Sequence, residues 1–162
     1  MEPMVLANKI FKIKNLLEKN KAVALYVSKE WGFERWLQAE LCGILNQSGE
    51  ISQEVFEEGD DGKKKIDIVF EGKWAISVKD RKEDVSEVEN NLEELKEPQY
   101  CKYTRTCFVF LTISPAGKNT DIDEEIKNAL INNKNKVYKR DFDFMDFNFK
   151  NNYKGRIWFV VG

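Results

Sequence analysis

Asp67 and Lys79 are the two residues whose types and spacing best suit chemistry. Asp67 lies within an apolar run at residues 66–70 (IDIVF), and Lys79 directly follows another at residues 74–78 (WAISV). Glu71, Gly72 and Lys73 separate the runs, enough for a tight hairpin turn. Ile, Val, Phe and Trp favour strands. In an antiparallel hairpin, residues early in the first strand lie opposite residues late in the second, so Asp67 and Lys79 come to the same end. A carboxylate there can ligate a hard cation, and an ammonium can orient or help deprotonate a water. Together they are the beginnings of a site for metal-dependent phosphodiester hydrolysis.

Composition narrows the chemistry further. The 162 residues contain no histidine, which removes Ser-His-Asp triads, Cys-His dyads and histidine metal sites. Any metal is then expected on oxygen ligands, which points to Mg²⁺ or Mn²⁺. The three cysteines, Cys42, Cys101 and Cys107, lack Cys-x-x-Cys spacing and are odd in number, so free thiols in a reducing cytoplasm are expected. No apolar run approaches the roughly 20 residues of a membrane span, and the N-terminal stretch lacks a signal-peptide core, so a cytoplasmic location without membrane contact is expected. The net charge of −2 gives no global attraction to nucleic acid, so any such contact must use local basic patches.

The elements that must position Asp67 and Lys79 follow from periodicity. Residues 5–19 place Val5, Ile10, Ile13, Leu16 and Leu17 at near-helical spacing. Residues 30–46 predict a second helix, with Phe33, Trp36, Leu37, Leu41, Ile44 and Leu45 on one arc. Glu34 and Glu40 border that arc on opposite sides, where a carboxylate needs a partner or water. Gly49 is a plausible stop for this helix. Residues 51–58 predict a strand, followed by a two-glycine turn in EEGDDGKKK. Lys63, Lys64 and Lys65 fit either a phosphate contact or solvated strand-edge positions. After Lys79, Asp84 is a candidate N-cap with Glu87 three residues on, Val85, Val88, Leu92 and Leu95 form a helical stripe, and Pro98 is expected to end the helix. Residues 107–113 (CFVFLTI) predict a buried central strand. Thr120 with Asp123 resembles a capping box for a helix reaching about residue 133, and residues 156–161 predict a last strand. Residues 134–155 keep no clean period and are left open.

The order α, α, β-β-β, α, β, α, β predicts an α/β fold with a mixed central sheet flanked by helices. The length predicts one domain over 1–162, with an N-terminal helical segment at 1–29, a core at 30–115 and a helix and strand at 116–162 completing the sheet.

The series of Glu34 or Glu40 on a helix, Asp67 on a strand, Ser77-Val78-Lys79 on the next and then a helix resembles the PD-(D/E)xK nuclease superfamily over roughly residues 30–115. The resemblance implies a restriction-endonuclease-like core and a Mg²⁺- or Mn²⁺-dependent endonuclease acting on DNA. It implies Asp67 as a metal ligand, the Val78 backbone carbonyl as another, and Lys79 as the group that orients or deprotonates the attacking water. Glu34 or Glu40 would be a supporting acid. Many enzymes of this kind act as dimers, so a homodimer is a possible state. Two features depart from the pattern: Ile66 replaces a frequent proline, and Ser77 stands where the second acid belongs. Some members with Ser-x-Lys recover the acid from the next helix, about a dozen residues on. That spacing lands on Glu93, with Glu94 beside it, whereas the helical stripe favours Glu89.

Nucleic-acid contact is assigned to Arg81 and Lys82 beside Lys79, and to Lys136, Lys139 and Arg140, with Lys134, in the basic-aromatic stretch NNKNKVYKR. Two other readings stay open. One is an inactive module of the same fold that binds nucleic acid or a protein. The other is an unrelated α/β interaction protein in which Asp67 and Lys79 form a cross-strand ion pair.

Overall fold

A computed structural model describes residues 1–19, 33–47, 51–52, 66–79, 82–115, 121–145 and 152–162. Its elements are α1 (Pro3–Ile10), α2 (Ile13–Lys19), α3 (Phe33–Asn46), β1 (Ile51–Ser52), β2 (Ile68–Phe70), β3 (Trp74–Val78), α4 (Val85–Glu94), α5 (Pro98–Cys101), β4 (Arg105–Pro115), α6 (Asp121–Asn132), β5 (Lys136–Met145) and β6 (Asn152–Val161). The strands form one mixed sheet in the order β1-β2-β3-β4-β6-β5. Helices flank it, as the α/β reading expects.

The hairpin forms where the apolar runs place it. Ile68 pairs with Ile76 and Phe70 with Trp74. Glu71 and Gly72 take positive φ in the turn, at 52° and 60°, a conformation glycine adopts at no steric cost. β4 then lies parallel to β3, with Trp74 beside Arg105 and Val78 beside Val109. Parallel pairing requires a crossover, which α4 and α5 supply. β6 runs antiparallel to β4 on its other side, leaving β4 central and its residues from Cys107 to Leu111 fully buried.

Side-chain alternation divides the core between the two faces of the sheet. On one face, Leu6, Ile10, Ile13 and Leu17 of α1 and α2 and Leu37, Leu41 and Leu45 of α3 cover Ile68, Trp74, Ile76, Val78 and Phe159. On the other, Val88 and Leu92 of α4, Tyr100 of α5 and Ile126 and Leu130 of α6 cover Ala75, Phe108, Phe110 and Trp158. Phe110 stacks on Trp158 with ring centroids 5.7 Å apart.

Three expectations are corrected, and a stretch left open is assigned. The helix at 5–19 is two helices, because Lys12 N–H bonds back to Lys9 and Lys14 N–H to Phe11 in a tighter turn. That turn shifts the apolar phase so that Leu6, Ala7 and Ile10 of α1 and Ile13 and Leu17 of α2 all reach the sheet. Pro98 does not end α4, which caps at Leu95; it opens α5 at the first helical position, where its missing N–H costs nothing. Asp67 lies one residue before β2 rather than inside a strand. Residues 136–145 and 152–155, left open in the sequence, form all of β5 and the start of β6. Gly49 and residues 53–65, with their expected strand end, turn and lysines, lie outside the described residues, as does Thr120. Asp123 instead accepts from Thr112 Oγ1 at 2.7 Å and pairs with Arg156 at 3.1 Å, tying α6 to the sheet.

Gly155 stands opposite Phe142 in the β5–β6 ladder. A Cβ there would lie 2.1 Å from the Phe142 ring, which covers the glycine. Gly155→Ala is therefore expected to displace a buried aromatic and to cost about 2 kcal/mol, read as a lower urea midpoint with an unchanged slope.

Candidate active site

Asp67 and Ser77 meet at the open end of the hairpin, because the β2–β3 register carried one residue beyond Ile68 places them opposite each other. One carboxylate oxygen of Asp67, Oδ2, accepts from the Val78 backbone N–H at 2.7 Å and from Ser77 Oγ at 3.2 Å. From the other face, Gln38 on α3 donates its side-chain amide to the Asp67 backbone carbonyl at 2.8 Å. The aspartate is thus fixed through both its backbone and its carboxylate. Among the described residues, Oδ1 receives no hydrogen bond.

Lys79 does not pair with Asp67. Its ammonium lies between the two oxygens of Glu94, at 2.9 and 2.7 Å, with side chains only 16% and 12% exposed. A cross-strand Asp67–Lys79 pair is therefore corrected to a strand–helix pair. Lys79 and Glu94 both act electrostatically on Asp67, the lysine favouring its charge and the glutamate opposing it. Burial is the largest influence on Asp67 and pushes its carboxyl above the ordinary range, against the hydrogen bonds from Val78 and Ser77.

Helical phase explains why Glu94 holds this position. Glu87, Asn91 and Glu94 follow i, i+4, i+7 along one flank of α4. Glu87 meets Lys82 at 3.3 Å and Glu94 meets Lys79, so this flank faces the end of β3. Glu89 and Glu93 lie on the opposite flank, beside a cleft shared with Thr106, Asn133, Asn135 and Gly162. Glu93 is 71% exposed and pairs with Lys96 at 2.5 Å. Glu93 and Glu89, expected at the site, therefore lie away from Lys79 and Asp67, and the side chain that meets Lys79 is Glu94, the neighbour of Glu93. Asn91, between Glu87 and Glu94 on their flank, is a buried polar residue.

The helix α3 acids are placed differently from one another. Gln38 and Cys42, four residues apart, form the flank that meets Asp67: Gln38 hydrogen-bonds its backbone, and the Asp67 charge helps burial to push the Cys42 thiol up. Glu34 is one turn N-terminal to Gln38, whereas Glu40 lies on the other flank and no hydrogen bond or ion pair joins it to Asp67 among the described residues. All three cysteines are free thiols.

Tyr100, absent from the sequence-level site, closes the wall behind Ser77. It is fully buried, its hydroxyl makes no hydrogen bond among the described residues, and Ser77, Asp67 and Glu94 lie near enough to influence it. Burial pushes its phenol far up, so it stays protonated at any working pH.

The basic cluster of β5 is not one surface. Alternation puts Arg140 over Phe11 on the α1–α2 face and Lys139 over Trp158 on the α6 face, with Lys136 on the Arg140 side. Lys82 is held by Glu87, and Arg81 lies outside the described residues. No helix among the described residues is long and apolar enough to cross a membrane.

One stability consequence follows from Asp67. A carboxyl whose folded pKa is raised binds its proton more readily folded than unfolded. Its cost is therefore full above the folded pKa and is relieved as pH falls through that value toward the unfolded one, about 3.9. Asp67→Asn keeps an oxygen to accept from Val78 N–H, so it is expected to raise Tm at pH 7. The gain should shrink as pH falls toward about 4; thermal melts of both proteins across that range check it.

Compared with protein-family models, curated proteins and solved structures, the chain finds no match.

Proposed function

We propose that the protein is a metal-dependent endonuclease that hydrolyses phosphodiester bonds in DNA, built on a restriction-endonuclease-like core. The observation that carries this reading is Glu94, a carboxylate supplied by the crossover helix beside Asp67 and Lys79, at the end of a strand whose own acid position holds Ser77.

The donor set fits a hard divalent cation. Mg²⁺ is commonly held by one or two carboxylates, with water and substrate phosphate completing its shell. Asp67 offers Oδ1, and Glu94 and the Val78 carbonyl are the further candidates. The charge of Asp67 is disfavoured by burial, and a cation on that oxygen would reverse the balance. Bound there, Mg²⁺ or Mn²⁺ would stabilise charge on the phosphate and lower the pKa of a water. The chain's own groups do the rest. Ser77 and Val78 hold Asp67 in one orientation. Lys79, once Glu94 turns to other partners, orients or deprotonates the attacking water or neutralises phosphate charge. Lys82, Lys139 or the Lys136–Arg140 face would meet the DNA backbone, and a homodimer would allow both strands to be cut.

A second reading draws on a specific observation. Both oxygens of Glu94 are taken by Lys79, and no group of three or more acidic or thiol side chains suited to a metal occurs among the described residues. This favours an inactive module of the same fold that binds nucleic acid or a protein. Incubation of supercoiled plasmid and single-stranded DNA with Mg²⁺ or Mn²⁺ separates the two. Cutting by the parent and not by Asp67→Ala supports the nuclease. DNA binding without cutting in either metal supports the module.

A further inference from the structure

We propose that Tyr100 is a positioning residue that acts through Ser77 on Asp67, its hydroxyl donating to Ser77 Oγ so that the serine O–H stays directed at Asp67 Oδ2. This rests on the proposed function for its significance, but its geometry is independent of any metal.

Ser77 is 1% exposed and Tyr100 is fully buried, so neither contacts a macromolecular substrate directly. A serine hydroxyl has one proton and two lone pairs, and its rotor turns to suit its neighbours. Here the proton is directed to Asp67 Oδ2 at 3.2 Å, which leaves the lone pairs for another donor. The neighbouring donor with an unused proton is the Tyr100 hydroxyl. A buried O–H without a partner is costly; Tyr100 packs with Ala75 on the sheet face that Ser77 shares, and a bond to the neighbouring Ser77 Oγ would remove that cost. The resulting series, Tyr100 to Ser77 to Asp67, polarises in one direction, each bond strengthening the next. It also gives Ser77 a role of its own: a hydroxyl accepts from Tyr100 and donates to Asp67, which a carboxylate at this position cannot do. Asn91, buried one turn before Glu94 with its amide nitrogen also unpartnered, lies along the same flank of α4.

The test is a double-mutant cycle on the full chain with Tyr100→Phe, Ser77→Ala and both together, each removing a single oxygen from a buried side chain. Two quantities are read: Mn²⁺ affinity by calorimetry, and hydrogen exchange of the Val78 N–H, which donates to Asp67 Oδ2. Tyr100→Phe is expected to weaken Mn²⁺ about tenfold, the usual effect of losing an outer partner of a ligand. It is expected to speed Val78 exchange about fivefold, the worth of one hydrogen bond. In the double variant neither effect adds to that of Ser77→Ala, because one residue acts through the other. Parent values for Tyr100→Phe, or effects that multiply in the double variant, would overturn the inference. If the parent binds no Mn²⁺, the proposed function falls, and Val78 exchange in the metal-free protein still decides the role of Tyr100.

Discussion

On the proposed nuclease reading, Glu94→Gln is expected to slow DNA cleavage about 10³-fold, while Glu93→Gln and Glu89→Gln stay within about twofold of the parent. The magnitude reflects transition-state stabilisation of several kcal/mol from a correctly ligated cation, at about 1.4 kcal/mol for each tenfold in rate. The contrast tests placement as well as chemistry, since the three glutamates lie within two turns of one helix. Glu94 grips Lys79 beside Asp67, whereas Glu93 pairs with Lys96 in solvent and Glu89 lines the cleft on the far flank. Equal losses for Glu93→Gln and Glu94→Gln, measured by plasmid nicking under single-turnover conditions, would contradict the assignment.

The second large effect belongs to Lys79. Lys79→Ala is expected to reduce cleavage between 10²- and 10⁴-fold, the range for loss of a general acid–base group, and also to destabilise the fold. Glu94 would be left largely out of water without its counter-charge, at a cost of about 2 kcal/mol, below that of a fully buried pair because some of each side chain still meets solvent. Replacing both partners by apolar residues of similar size, Lys79→Met with Glu94→Leu, is expected to recover that loss in urea unfolding while remaining inactive. A double variant no more stable than Lys79→Ala would show that the pair contributes packing rather than compensated charge.

The parts of the fold legible in the sequence are those fixed by local pattern. The hairpin follows from two β-rich runs around Glu71-Gly72-Lys73, and the Asp84 cap is visible as such, its carboxylate accepting from the N–H groups of Ser86 and Glu87. The middle of β4, from Cys107 to Leu111, is an unbroken apolar run because both its faces are covered. β5 was hidden because it is an edge strand. Lys139, Arg140, Asp141 and Asp143 break its apolar pattern, and charges on an edge keep it from pairing with other chains. The same alternation, once the strand is known, separates Lys139 from Lys136 and Arg140.

The site was half legible for a related reason. Asp67, Ser77 and Lys79 come together through a two-strand register that the sequence encodes locally. The choice among Glu89, Glu93 and Glu94 depends on how α4 is rotated against the sheet. That rotation is set by long-range packing of Val88 and Leu92 and by Lys82 meeting Glu87, which spacing from Lys79 does not report. Tyr100 gave no sequence signal because it reads as an ordinary core aromatic, and only its unpartnered hydroxyl beside Ser77 distinguishes it.

The most direct test is a calorimetric titration of Mn²⁺ into the parent protein, Asp67→Ala and Glu94→Ala at one pH and low salt. One binding event in the parent that disappears in both variants, with all three proteins folded by circular dichroism, is the result predicted for a cation site shared by Asp67 and Glu94. No binding by the parent, or binding that survives both substitutions, would contradict it.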